Sequence, residues 1–70
     1  MKRRALTKTI NDAARVAGVS WTLERQGASH EIWRCGLVRV TIPRHREINE
    51  ITAGSIVKQL DAVLGEGWWK

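Results

Sequence analysis

The sequence predicts an α+β domain of order α-β-β-β-α, in which two helices cover one face of a three-stranded antiparallel sheet. Three observations carry that expectation. Two stretches, one toward each end, place apolar residues at helical spacing and stop at a glycine. Between them lie three short segments in which apolar and polar residues alternate. The connections between these segments are too short for a crossover, which makes the sheet an antiparallel meander.

The elements follow in order. Thr7 stands where it can cap a first helix running to about Ala17, with Leu6, Ile10, Ala13, Ala14 and Ala17 on one face and Gly18 as the stop. That face is small-sided, so the helix should pack close to its neighbour. Val19, Trp21 and Leu23 then alternate with Ser20, Thr22 and Glu24, the pattern of a half-buried strand. Gln26-Gly27-Ala28-Ser29 reads as a turn. His30 to Arg34 is a second short strand, and Cys35-Gly36 a tight connection into a third. There Val38, Val40 and Ile42 alternate with Arg39 and Thr41 until Pro43, which cannot donate to a ladder. If the second strand alternates cleanly, His30, Ile32 and Arg34 share one face and Glu31, Trp33 and Cys35 the other. A polar, charged loop runs from Pro43 to Ile51. The second helix is expected from about Ala53 to Leu64, capped by Thr52, with Ile56, Leu60, Val63 and Leu64 as its stripe and Gly65 as its stop. Covering one sheet face with both helices buries both stripes and leaves the other face to solvent or a partner.

The chain has 70 residues, which makes it one small domain, 1–70, with a core of about 6–64 and a Trp-bearing tail over 65–70. A body this size cannot enclose a large cofactor or build a deep cleft, so any chemistry must sit on an open surface. No run of apolar residues is long enough for a transmembrane helix, and Lys2-Arg3-Arg4 is not followed by a signal-peptide core. With Cys35 as the single cysteine, no internal disulfide can form, and a reducing cytoplasm is the expected location. Trp68 and Trp69 have two readings: they fold back over the helix ends, or they anchor a protein partner.

Charge is the informative property. Twelve Lys and Arg against seven Asp and Glu give +5. The excess is concentrated. Lys2, Arg3, Arg4, Lys8 and Arg15 face only Asp12, and Arg25, Arg34, Arg39, Arg44 and Arg46 face only Glu31 within their stretch, whereas Glu47 to Lys70 is net acidic. Such clusters are either a solvated face or an electrostatic footprint for phosphates, with nucleic acid the first candidate partner.

Two histidines are the candidates for chemistry. His30 follows the turn and opens the second strand; His45 lies in Pro43-Arg44-His45-Arg46. A lone histidine beside a turn is commonly structural, yet it is the side chain whose ordinary pKa suits proton transfer near neutrality. RNA carries its own nucleophile in the 2′-hydroxyl, so a histidine on an arginine-rich surface has the parts to cleave it without a metal or cofactor. Other chemistries lack theirs. No metal-ligand spacing or phosphate-binding glycine loop is present, and Cys35 has no base beside it in sequence.

Taken in order, Gly27-Ala28-Ser29-His30, Thr41-Ile42-Pro43-Arg44-His45 and Gly54-Ser55-Ile56 resemble the HicA family of toxins, the small RNA-cleaving partners of HicB antitoxins in type II toxin–antitoxin systems. The resemblance spans roughly Leu6 to Leu64. It implies a fold of the double-stranded RNA-binding domain type and a metal-independent endoribonuclease acting on mRNA. The family's catalytic histidine falls on His30, and His45 matches a family position as a secondary candidate. The family pattern has Gly-Ser-His where this chain has Gly-Ala-Ser-His, an inserted residue that either shifts the reach of His30 or is absorbed by a bulge. Arg34, Arg39, Arg44 and Arg46, with Arg25 as a weaker candidate, would hold RNA phosphates. The expected partners are mRNA and a HicB-like antitoxin. The main alternative is a non-catalytic RNA-binding module of the same fold, and a third reading is a protein-interaction or DNA-binding module.

Overall fold

Leu6, Ile10 and Ala14 recur at three- and four-residue intervals, and all three are buried on helix α1, Arg3–Ala17. In the computed structural model, which describes residues 1–69, this helix starts four residues before Thr7. Thr7 lies inside it and donates from Oγ1 to the Arg4 carbonyl at 3.2 Å rather than capping. The early start is tertiary in origin. Lys2 bridges Glu47, the Arg3 N–H donates to the Arg46 carbonyl at 3.0 Å, and Leu6 is fully buried, so the first turn is held without a side-chain cap. Gly18 ends the helix with φ 73°, its N–H reaching the Ala14 and Arg15 carbonyls.

Three strands follow: β1, Trp21–Gln26; β2, His30–Cys35; and β3, Val38–Pro43. They form an antiparallel sheet in the order β1-β2-β3. Gly36 has φ 60° and Leu37 does not share the positive φ, the type II′ pattern of a two-residue hairpin turn. β1 carries a bulge. Leu23 pairs with Trp33 and Arg25 with Ile32, which leaves Glu24 as the extra residue.

Helix α2 runs Glu50–Leu64 and begins three residues before the expected start at Ala53. Asn49 is the cap: its Oδ1 accepts from the Thr52 N–H at 2.8 Å, so Thr52 is the capped residue and not the cap. Glu50 in the first turn suits the positive end of the helix dipole. The loop before it is less polar in its role than in its composition, because Ile48 is buried in the core.

The register fixes the two sheet faces. Trp21, Trp33, Cys35, Val38, Val40 and Ile42 face the helices and pack with Leu6, Ile10, Ile56 and Leu60 into one core. α2 lies against β3, while α1 touches β1 and α2. The opposite face carries Thr22, Arg34, Arg39, His30, Ile32 and Thr41, and no helix covers it. Leu23 is less buried than its alternation suggests, at 43% exposed, because β1 is an edge strand and the bulge follows directly. Trp68 folds back on α2, donating from Nε1 to the Val57 carbonyl at 3.1 Å, and Trp69 meets it edge to face with 39% of its surface exposed. The last residue of the tail, Lys70, lies outside the described residues. Among those described, no helix is long and apolar enough to cross a membrane.

Candidate nucleic-acid interface

The uncovered sheet face brings several of the sequence candidates together. His30, exposed at the start of β2, lines a shallow cleft of about 350 Å³ with Arg25, Ser29, Ile32 and Thr41, and the turn Gly27-Ala28 closes one side. Clean alternation along β2 puts His30 and Ile32 on this face. Ile32 is only half-buried there, which leaves an apolar patch between polar neighbours.

Arg25 reaches the cleft because of the bulge. Without Glu24 as the extra residue, the register would pair Arg25 with Glu31 and turn its side chain to the helix-covered face. With it, Arg25 pairs with Ile32 beside His30. Glu24 in turn binds Arg39 across the sheet in a two-point contact, 3.0 Å from Nε and 2.9 Å from Nη2. Arg34 stands directly opposite Arg39 on the same face. The candidate arginines Arg25, Arg34 and Arg39 therefore share one surface with His30.

Arg44 and Arg46 do not. Both follow β3, and both line a separate groove with Lys2, Arg3 and Arg4 from the start of α1. Arg44 nonetheless supports the histidine turn. Its N–H donates to the Ser29 carbonyl at 2.9 Å, and its Nη1 to the Gly27 carbonyl, also at 2.9 Å. The turn closes on itself as well, the Gly27 N–H donating to the His30 carbonyl at 2.9 Å. A Cβ on Gly27 would lie 3.1 Å from that oxygen, a tight approach to backbone that a larger residue would meet only if the turn gave by a few tenths of an ångström.

Comparison of the chain with protein-family models, curated proteins and solved structures finds no match in any of the three.

His45 is exposed in the loop after β3 and is not among the residues lining the His30 cleft, so the two histidines do not form a pair there. Among the described residues the hydrogen bonds around this end of the sheet belong to Arg3, Trp33 and Arg44, and none reaches the His30 imidazole. Cys35 is fully buried on the helix side, and burial pushes its thiol above the ordinary range, the opposite of an activated nucleophile. Among the described residues no three His, Cys, Asp or Glu side chains converge as metal ligands.

One functional-looking group was not legible in the sequence. Glu31 is buried at 7% exposure on the helix side of the sheet. It binds the Arg3 guanidinium, accepts from Trp33 Nε1 at 3.0 Å and stands 4.0 Å from Arg44 Nε. Alternation alone places a carboxylate among apolar residues; only the fold shows the cations that satisfy it. Glu31 thereby ties the start of α1 to the strand whose first residue is His30.

Proposed function

We propose that the protein is an endoribonuclease of the kind its HicA-like motifs imply, the toxin of a type II toxin–antitoxin pair that cuts mRNA in the cytoplasm. The observation that carries this reading is the position of His30, exposed in a cleft on the uncovered basic face beside Arg25. The neutral imidazole takes the proton of a ribose 2′-hydroxyl. The freed oxygen attacks the adjacent phosphorus, the bond to the 5′-oxygen breaks, and a 2′,3′-cyclic phosphate and a 5′-hydroxyl result. The leaving oxygen takes its proton from the imidazolium or from water. Arg25 is the cation best placed to stabilise the charge that develops on the phosphorane oxygens. Arg34 extends the positive surface for neighbouring phosphates, while the charge of Arg39 opposite it is met by Glu24. The RNA supplies the nucleophile, so the reaction asks for neither a metal nor a cofactor. His45, outside the cleft, has no part in proton transfer in this scheme.

A HicB-like antitoxin would silence such an enzyme most simply by covering the open face. The test is induced expression of the wild type and of His30→Ala, each with and without a candidate antitoxin. Growth arrest by the wild type alone, relieved by the antitoxin, supports the reading; arrest by both proteins overturns the role of His30.

One observation favours a second reading, a non-catalytic RNA-binding module. No described side chain orients the His30 imidazole, whereas catalytic bases are commonly held by a further hydrogen bond. That module binds RNA and leaves it intact.

A further inference from the structure

Away from the histidine face, five cations from distant parts of the chain meet. Lys2, Arg3 and Arg4 converge with Arg44 and Arg46 around a groove of about 420 Å³. Backbone and side chain of Arg3 build the meeting: its N–H donates to the Arg46 carbonyl at 3.0 Å, and its guanidinium Nε to the Pro43 carbonyl at 3.0 Å. The nearby carboxylates are committed. Glu31 holds Arg3 and approaches Arg44, while Glu47 and Glu50 each stand 3.5 Å from the N-terminal amine. Lys2, Arg4 and Arg46 are exposed, and none has a carboxylate within ion-pair distance among the described residues. Like charges gathered without counter-charge repel one another, and a polyanion relieves that repulsion.

The groove continues along the helix. Arg3 and Arg4 also line a depression between α1 and the sheet, whose other walls include Lys8, Asn11, Trp21 and Trp33. The two indoles are stacked, 4.6 Å between centroids and 12° between planes, and both are half-buried. Cations in line with an aromatic platform make up the tracks that hold single-stranded nucleic acid, the cations taking phosphates and the rings taking bases. At its other end the groove reaches the histidine turn, because Arg44 forms one of its walls and donates to the Gly27 carbonyl, part of the His30 cleft.

We propose that this groove is a second track for single-stranded RNA, in which Lys2, Arg4 and Arg46 hold phosphates and the Trp21–Trp33 platform takes a base, so that the strand wraps the end of the sheet into the His30 cleft. The inference rests on the RNA reading above and sharpens its substrate: a single strand long enough to occupy both surfaces.

The test is binding of a labelled 12-nucleotide single-stranded RNA carrying 2′-O-methyl groups, which removes the nucleophile and prevents cleavage. Wild type, Arg4→Ala/Arg46→Ala and Lys58→Ala are titrated across a salt series, with circular dichroism to establish that each is folded. The expected result is that the double variant binds about tenfold more weakly near 0.1 M salt, with the slope of log K against log salt reduced by about 1.4, as for two lost phosphate contacts to a single strand. Lys58→Ala, at an exposed cation of α2 that lines neither surface, keeps the wild-type affinity, and RNA quenches the tryptophan fluorescence of the wild type. Equal affinity and slope for the wild type and the double variant would overturn the track while leaving RNA binding intact. A double variant that keeps its RNA affinity but loses binding to polyglutamate would overturn it in favour of an acidic protein partner. No RNA binding by the wild type at low salt would remove this inference and the RNA reading together.

Discussion

Arg44 donates from Nη1 to the Gly27 carbonyl at 2.9 Å, so a residue beyond the end of β3 holds the turn that precedes His30 in β2. The Arg44 backbone N–H grips the same turn through the Ser29 carbonyl. The side-chain bond fixes the mouth of the cleft and the backbone bond aligns the strand ends. Arg44→Ala should remove the first, together with the 4.0 Å approach of the guanidinium to Glu31, and keep the second. The expected outcome is a loss of about tenfold in RNA cleavage with a change in thermal midpoint of a few degrees at most, since an exposed neutral acceptor regains water. Arg44→Lys keeps the charge but not the guanidinium fork, and should recover phosphate affinity better than cleavage.

Gly27→Ala tests the same turn from the other side. The added methyl would meet the His30 carbonyl at 3.1 Å and push apart the closure made by the Gly27 N–H. Cleavage should fall while the far end of the sheet keeps its amide protection, a pattern that hydrogen exchange resolves residue by residue.

Glu31→Ala leaves Arg3 and the Trp33 Nε1 donor without their acceptor. Arg3 keeps some access to water, which places the loss at about 2–3 kcal/mol in a denaturant titration, toward the lower end for a buried ion pair. For a domain whose total stability is of order 5–10 kcal/mol this is a large fraction. Glu31→Gln retains one acceptor and should lose less.

Much of the architecture is readable from local pattern. Gly18 stops α1, and in β3 the buried Val40 and Ile42 alternate with the exposed Arg39 and Thr41. Helix starts were less readable for different reasons. α1 begins at Arg3 because Arg46, more than forty residues away, accepts its N–H, and no local signal encodes such a contact. α2 begins at Glu50 through Asn49, whose side chain is a good cap; the stripe that starts at Ile56 and the competing cap residue Thr52 point instead to a start at Ala53. The candidate site divides in the same way. The exposure of His30 follows from strand alternation, whereas Arg25 beside it depends on a bulge at Glu24 that no turn residue marks. Arg44 and Arg46, grouped by sequence with the sheet arginines, belong spatially with Lys2, Arg3 and Arg4.

Cys35 is fully buried between the sheet and the helices, and desolvation raises its pKa. The folded state therefore favours the protonated thiol. Its contribution to stability is fully present below the thiol's unfolded pKa and declines as pH rises from there toward the folded value. Iodoacetamide at pH 8 should modify the native protein slowly and the unfolded protein promptly. Cys35→Ala should lose stability through the small cavity yet cleave RNA at the wild-type rate.

The central claim is that His30 moves the proton. The most direct measurement is the single-turnover rate of cleavage of a defined single-stranded RNA by the wild type and by His30→Ala, at saturating protein and with affinity for the 2′-O-methyl analogue measured alongside. The account predicts a loss of about 10²–10⁴-fold in rate with affinity unchanged, the scale of one proton-transfer group. Equal rates for the two proteins would contradict it.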